Sequence, residues 1–247
     1  MRPVINDTFN IESKILDETR EIYVYLPPDH EESGLAYPVI YLLDGHNLHN
    51  VCASFVQHYS DRDRMPHAIV VGIASTDRLR DFTPSEREAY NGEYGGGGSE
   101  DFLNFLSDEL FPVVEEKYPT RDYRGLIGHS YGGLFVSYAL TSKPELFRAY
   151  LACSPWFSEA DNVMIDEIGK QLQGGYEKTR HFYLAHEPIS NPGIEDRIVK
   201  MKKAFEEYSG DDFVWEYKRY GDADHSNLPL KAIPDSLDFF FPGFIQD

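Results

Sequence analysis

The sequence predicts an α/β protein with a mostly parallel central sheet flanked by helices, on three observations. Short continuous apolar runs recur along the chain and stop at Gly, Pro, Asp or Ser, as strands buried on both faces do. Amphipathic stretches fall between them, and strand–helix alternation at short spacing implies parallel pairing through right-handed crossovers. At one junction, GLIGHSYGGLF (125–135), a strand, a tight turn and a helix follow without a break.

Taken in order, REIYVYLPP (20–28) alternates and ends in prolines, which reads as an antiparallel strand. YPVIYLLDG (37–45), AIVVGIAS (68–75), YRGLIG (123–128), RAYLACSP (148–155), HFYLAHEP (181–188) and FVWEYKRY (213–220) supply six more. Helices are expected over 99–118, with Ser99 as N-cap, over 132–144 up to Pro144, over 195–210 closing on Gly210, and over 228–241. No repeat or low-complexity linker interrupts the pattern, so residues 1–247 are expected to form a single domain.

The 247 residues carry 42 acidic and 23 Lys or Arg side chains, a net charge of −19. That balance argues against nucleic acid or an anionic membrane as partner. The longest apolar run, AIVVGIA, is far too short to span a bilayer, and MRPVINDTFNIESK has no apolar signal region, which together suggest a cytoplasmic protein. Two cysteines, Cys52 and Cys153, are expected as buried free thiols. Nothing fixes the oligomeric state.

Within the junction, Gly128, Ser130 and Gly132 form a G-x-S-x-G frame. Chance supplies that frame in roughly one chain in ten of this size, so its surroundings must decide. A strand before the serine and a helix after it are the context of a nucleophile elbow, in which glycines allow a backbone approach that a Cβ would block. A serine needs a base, and His225 in GDADHSNLP lies between the last strand and the last helix, where such a base belongs. His129 adjoins the serine and is expected to point away from it. His30, His49, His58 and His67 read as solvated. The acid should follow the strand HFYLAHEP, which favours Glu187 over Glu195, Asp196, Asp222 and Asp224. The oxyanion hole needs two backbone amides, those of Tyr131 and of His46 after Asp44-Gly45.

His46 and His49 form a His-x-x-His pair beside Asp44, but a metal site needs more converging ligands. GEYGGGGSED (92–101) lacks the Gly-Lys-Ser/Thr of a phosphate cradle and places acids where an anion would sit, so a flexible loop is expected there. Trp156, after Cys153-Ser154-Pro155, is a candidate wall of the substrate pocket. No cofactor or metal is implied.

REIYVYLPPDH, YPVIYLLDGHN, RLRDFTPS (78–85), GGGGSEDFLNFLSDELFPVVEEKYPT, GLIGHSYGGLFVSYALTSKPELF, CSPWF and DHSNLP together resemble the enterochelin-esterase-like branch of the α/β-hydrolases, nearly end to end. The resemblance implies the α/β-hydrolase fold and a serine esterase acting on a small-molecule ester, with Ser130 as nucleophile and His225 as base. Members of that branch differ over the acid, and some use a Ser–His pair alone. The Glu187-Pro188 step is similar to the Glu-Pro after the corresponding strand of enterochelin esterases. The motifs specify the family and not a substrate. Rival readings are a thioesterase or peptidase with the same triad, and a binding protein that kept the fold without the chemistry.

Overall fold

The computed structural model describes residues 6–28, 30–89 and 91–242. Its strands are β1 (Asp7–Ser13), β2 (Glu18–Tyr25), β3 (Tyr37–Leu42), β4 (Ile69–Ile73), β5 (Glu86–Glu88), β6 (Tyr94–Gly96), β7 (Thr120–His129), β8 (Ala149–Cys153), β9 (Arg180–His186) and β10 (Phe213–Arg219). Eight of them form one sheet in the order β1-β2-β4-β3-β7-β8-β9-β10, while β5 and β6 make a separate antiparallel ribbon. Strand β2 runs antiparallel to both its neighbours, and every pair from β4 to β10 is parallel.

Helices α1 (Gly45–Ser60), α2 (Arg78–Phe82), α3 (Ser99–Phe105), α4 (Phe111–Lys117), α5 (Tyr131–Ser142), α6 (Asn162–Gly174), α7 (Pro192–Tyr208) and α8 (Leu228–Phe240) complete the layers, with a π-helical turn joining α3 to α4. The side-chain period of two sorts each strand between two cores. From β3, Val39 and Tyr41 join the core formed with Phe102, Leu134 and Ile198 of α3, α5 and α7. Ile40 and Leu42 join the other, formed with Cys52 and Val56 of α1 and Ile233 and Leu237 of α8. That two-sided burial is why β3, β4 and β8 read as unbroken apolar runs, and it also covers β9, whose run FYLA lies between Arg180-His181 and His186.

The RLRDF segment of α2 is anchored by buried charge. Arg20 of β2, fully buried, donates to Asp81 at 2.9 Å and also pairs with Glu18, while Arg80 donates to Asp81 at 2.8 Å. Arg87 of β5 forks the Asp161 carboxylate at 2.7 and 2.8 Å.

Several expectations need correction. Strand β1, helices α1 and α6 and the ribbon were not anticipated from the pattern. Helix α1 starts on Asp44, whose φ of 55° is left-handed and whose side chain caps nothing, so a usual start signal is missing. Ser99 is not an N-cap: Gly98 holds that place, and Ser99 is a buried first helical residue. Within the glycine-rich 92–101 stretch, Tyr94–Gly96 pair with β5 as a ribbon strand ahead of α3, so the expected loop is only partly free. His49 is not solvated but 2% exposed against the sheet. Cys52 and Cys153 are buried free thiols, as expected. No helix among the described residues is long and apolar enough to cross a membrane.

Both ring nitrogens of His49 lack a hydrogen-bond partner among the described residues, and burial pushes its pKa down to about 4. The unfolded chain takes up the proton from about pH 6.5 downward while the folded chain does not, so folded stability must fall as pH drops through that window. Denaturant unfolding of His49→Leu is expected to lose about 2 to 3 kcal/mol less stability between pH 7 and pH 4.5 than the wild type does. An unchanged pH slope would place the acid sensitivity elsewhere.

Candidate active site

Ser130 lies between β7 and α5 with φ 62° and ψ −119°, a backbone state that costs a non-glycine residue of order 1–3 kcal/mol. Its neighbours hold it there. A Cβ on Gly128 would overlap the Gly132 carbonyl, and one on Gly133 would come within 2.7 Å of the Cys153 carbonyl oxygen. The Ser130 amide donates to that Cys153 carbonyl at 2.9 Å, and its own carbonyl accepts from Leu134 at 3.0 Å and Trp156 at 3.1 Å. The strained residue thus stands at the carboxyl end of the central strand with its backbone groups satisfied.

Glu187 follows directly on β9 and is 5% exposed. Its Oε1 lies 2.8 Å from His225 Nδ1 and accepts the Ser154 hydroxyl at 3.0 Å. Burial works to raise the carboxyl pKa, but hydrogen bonds from His225, from its own backbone amide and from Ser154 outweigh it, so the group sits below its ordinary value. The loop bearing His225, between β10 and α8, is tied by Asp224, which accepts the amides of Ser226 and Asn227 at 2.9 Å each. With Nδ1 turned to the acid, Nε2 is the imidazole nitrogen left for a hydroxyl.

Ser130 and His225 line one cleft of about 520 Å³, together with Tyr131, Trp156, His129 and Arg78. The Trp156 ring meets the His225 ring edge-on at 5.8 Å. Asp44, Asn47 and Leu48, at the start of α1, line it as well. The amides of Asn47 and Leu48 return to the Asp44 carbonyl at 2.9 and 3.1 Å, while that of His46 has no partner among the described residues. The His46 imidazole is exposed, is not part of the cleft lining, and accepts from the Asn47 side chain at 2.9 Å.

The structure therefore brings together Ser130, His225, Glu187, Tyr131 and Trp156, while His46 stands outside the cleft lining with its amide unpartnered among the described residues. The rival acids are occupied elsewhere: Glu195 pairs with Arg219 at 3.5 Å, and Asp222 with Lys231 at 2.6 Å. Asp196 sits within α7. His129 does not point away: its ring lies 4.4 Å from that of His225, centroid to centroid. Burial, with the nearby His225 and Arg78 charges, pushes its pKa down to about 4, so it stays neutral beside the candidate base. Sequence reasoning also passed over Arg78, which forks Asp44 at 2.7 and 3.1 Å and donates to the His129 carbonyl at 3.2 Å, bolting the α1 start to the elbow. The first arginine of RLRDFTPS was the signal for it. Ser154 was visible only as part of CSPWF.

A mostly parallel sheet with one antiparallel strand near its edge, a strained serine elbow, then an acid and a histidine in that chain order define an α/β-hydrolase. Residues 13–198 match the Esterase family, described as "Putative esterase", and the chain belongs to that family. Among curated proteins it is 33% identical over 158 residues to the ferri-bacillibactin esterase BesA of Bacillus subtilis, covering 56% of this chain and 55% of that protein. It is 33% identical over 164 residues to the siderophore enterobactin esterase of Emericella nidulans, covering 58% and 54%. The chain spans about half the length of the curated relatives it matches. A solved IroE-like serine hydrolase from Shewanella oneidensis superposes with a TM-score of 0.88 at 29% identity, over 98% of this chain and 81% of that one. The BES protein of Bacillus cereus shares the fold at a TM-score of 0.84 and 19% identity, over 95% of each chain.

The glycines around Ser130 are not equivalent, which makes a direct test. A Cβ on Gly132 would meet Leu43 at 3.4 Å, ordinary contact, whereas one on Gly128 would overlap backbone. Gly132→Ala is expected to melt within a few degrees of wild type, and Gly128→Ala to lose more than about 2 kcal/mol, as overpacking against immobile atoms does. Equal melting temperatures for the two variants would show that the elbow is looser than described.

Proposed function

We propose that this protein is a serine carboxylic-ester hydrolase that acts on a small-molecule ester through an acyl-enzyme. The observation that carries the reading is the 2.8 Å Glu187–His225 pair opening onto the same cleft as the strained Ser130. Ser130 Oγ attacks the ester carbonyl while His225 Nε2 takes its proton. Glu187 accepts the Nδ1–H bond and balances the imidazolium. The amides of Tyr131 and His46 hold the oxyanion. His225 returns the proton to the departing alkoxide, then activates water to release the acid and restore the Ser130 hydroxyl. A cleft of about 520 Å³ suits a small molecule, with Trp156 as one wall. The relatives named for siderophore esters favour an ester over a thioester or amide, and turnover of matched ester, thioester and amide substrates ranks the three.

Ser130→Ala is expected to fold, to lose ester turnover and to escape labelling by a fluorophosphonate that modifies the wild type. His225→Ala should be nearly as inactive, because reacting groups that act as a unit give non-additive losses. A folded Ser130→Ala with substantial turnover would falsify the reading.

Glu187→Gln is expected to cost turnover by up to the order of ten thousandfold, with little change in KM. Glu195→Gln, its control, should stay within about twofold of wild type, as exposed paired charges do. Mild losses at both positions would replace the triad with a Ser–His pair.

A further inference from the structure

A second serine, Ser154, sits in the turn after β8 and is not consumed by the reaction proposed above. Its φ of +45° lies in the left-handed region that glycine fills most easily. The residue before a proline is moreover driven toward extended backbone, and Pro155 follows it directly. The Ser154 amide donates to the Ala185 carbonyl of β9 at 2.7 Å, which ties the turn after β8 to the neighbouring strand. The residue is 1% exposed. Its hydroxyl donates to Glu187 Oε1 at 3.0 Å and lies 3.2 Å from His225 Nδ1, so the hydroxyl and the imidazole converge on one carboxylate oxygen. A glycine would relieve the backbone and leave that oxygen without the hydroxyl.

We propose that Ser154 is a positioning residue for ester cleavage, whose hydroxyl fixes the Glu187 carboxylate to receive the His225 Nδ1–H and supports its charge while the imidazolium forms. This rests on the reading of Ser130, His225 and Glu187 as the reacting set. Ser154 keeps its own proton throughout: the proton that moves leaves Ser130 for Nε2 and passes to the departing alkoxide. It is not a second nucleophile, because its oxygen sits on the Nδ1 side of the imidazole. The backbone strain is tolerated because the turn must place an O–H, not merely reverse the chain.

Two variants separate the hydroxyl from the backbone. Ser154→Ala removes the hydroxyl and keeps the strain, while Ser154→Gly removes both. Each is expected to lower kcat on an aryl ester about ten- to a hundredfold, the loss that follows removal of a hydrogen bond to a charged group. KM should stay within about twofold, since the hydroxyl never meets the ester. Ser154→Gly should melt at a higher temperature than Ser154→Ala without regaining kcat. In a Glu187→Gln background, Ser154→Ala should cost less than about a further threefold, because both changes act through one carboxylate. Recovery of kcat in Ser154→Gly, multiplicative losses in the double variant, or wild-type kcat in both single variants would each overturn the proposal. Ser130→Ala in the same assay tells the two failures apart. An inactive Ser130→Ala confines the failure to Ser154, and an active one removes the reaction assignment with it.

Discussion

The close approach of Gly128 to the Gly132 carbonyl is the contact on which the site depends, because a Cβ on Gly128 would overlap that carbonyl. It lets β7 pass into α5 through one residue, and that residue bears the left-handed φ. The strain is offset locally: the Ser130 amide and carbonyl bond to Cys153, Leu134 and Trp156. Ten of the twelve residues of α5 are buried, so the helix cannot swing away to relax the turn. Rigidity of this kind is what a reacting hydroxyl requires, since a displacement of about 1 Å from productive geometry can cost a hundredfold in rate.

Charge placement supports the same geometry. The net charge of −19 is spread over surface acids, while the buried ionic groups near the cleft are paired. Arg20 with Asp81 and Arg87 with Asp161 seat α2 and the β5–β6 ribbon, and α2 in turn carries Arg78 to Asp44. Buried pairs of this sort are poor sources of net stability, because desolvation consumes most of the attraction, but losing one partner is costly. Their consequence here is fixed loop geometry on the α1 side of the cleft.

The sheet was legible because strands covered on both faces tend to be apolar throughout, and β3, β4 and β8 are. The candidate serine, histidine and acid could be named because chain order and strand ends constrain such a set, and Glu187 and His225 lie 2.8 Å apart. Helix α1 was hidden by its start, since His46, Asn47 and His49 look like loop residues and the left-handed Asp44 gives no capping signal. His49 was misplaced because a polar residue type says nothing about burial when the desolvation cost is met by remaining neutral, and His129 because the residue beside an elbow serine was expected to diverge from it, whereas its ring lies against that of His225. Arg78 and Ser154 act through contacts 34 and 33 positions away in sequence, which no local pattern encodes.

The same pairing bears on what the cleft could recognise. Arg78 is the cationic side chain in the lining, and its guanidinium is already forked by Asp44. His129 is held neutral, and Glu187 lies behind His225 as a buried negative charge. The cleft therefore presents little free positive charge, within a protein whose overall field repels anions. For the proposed ester, binding would rest on neutral surfaces, Trp156, Tyr131, Leu48 and Pro229, which grip by shape and apolar contact. The likeness to siderophore esterases thus bears on how an ester would be opened, while the charge of the ester would follow from this lining and not from the relatives' names.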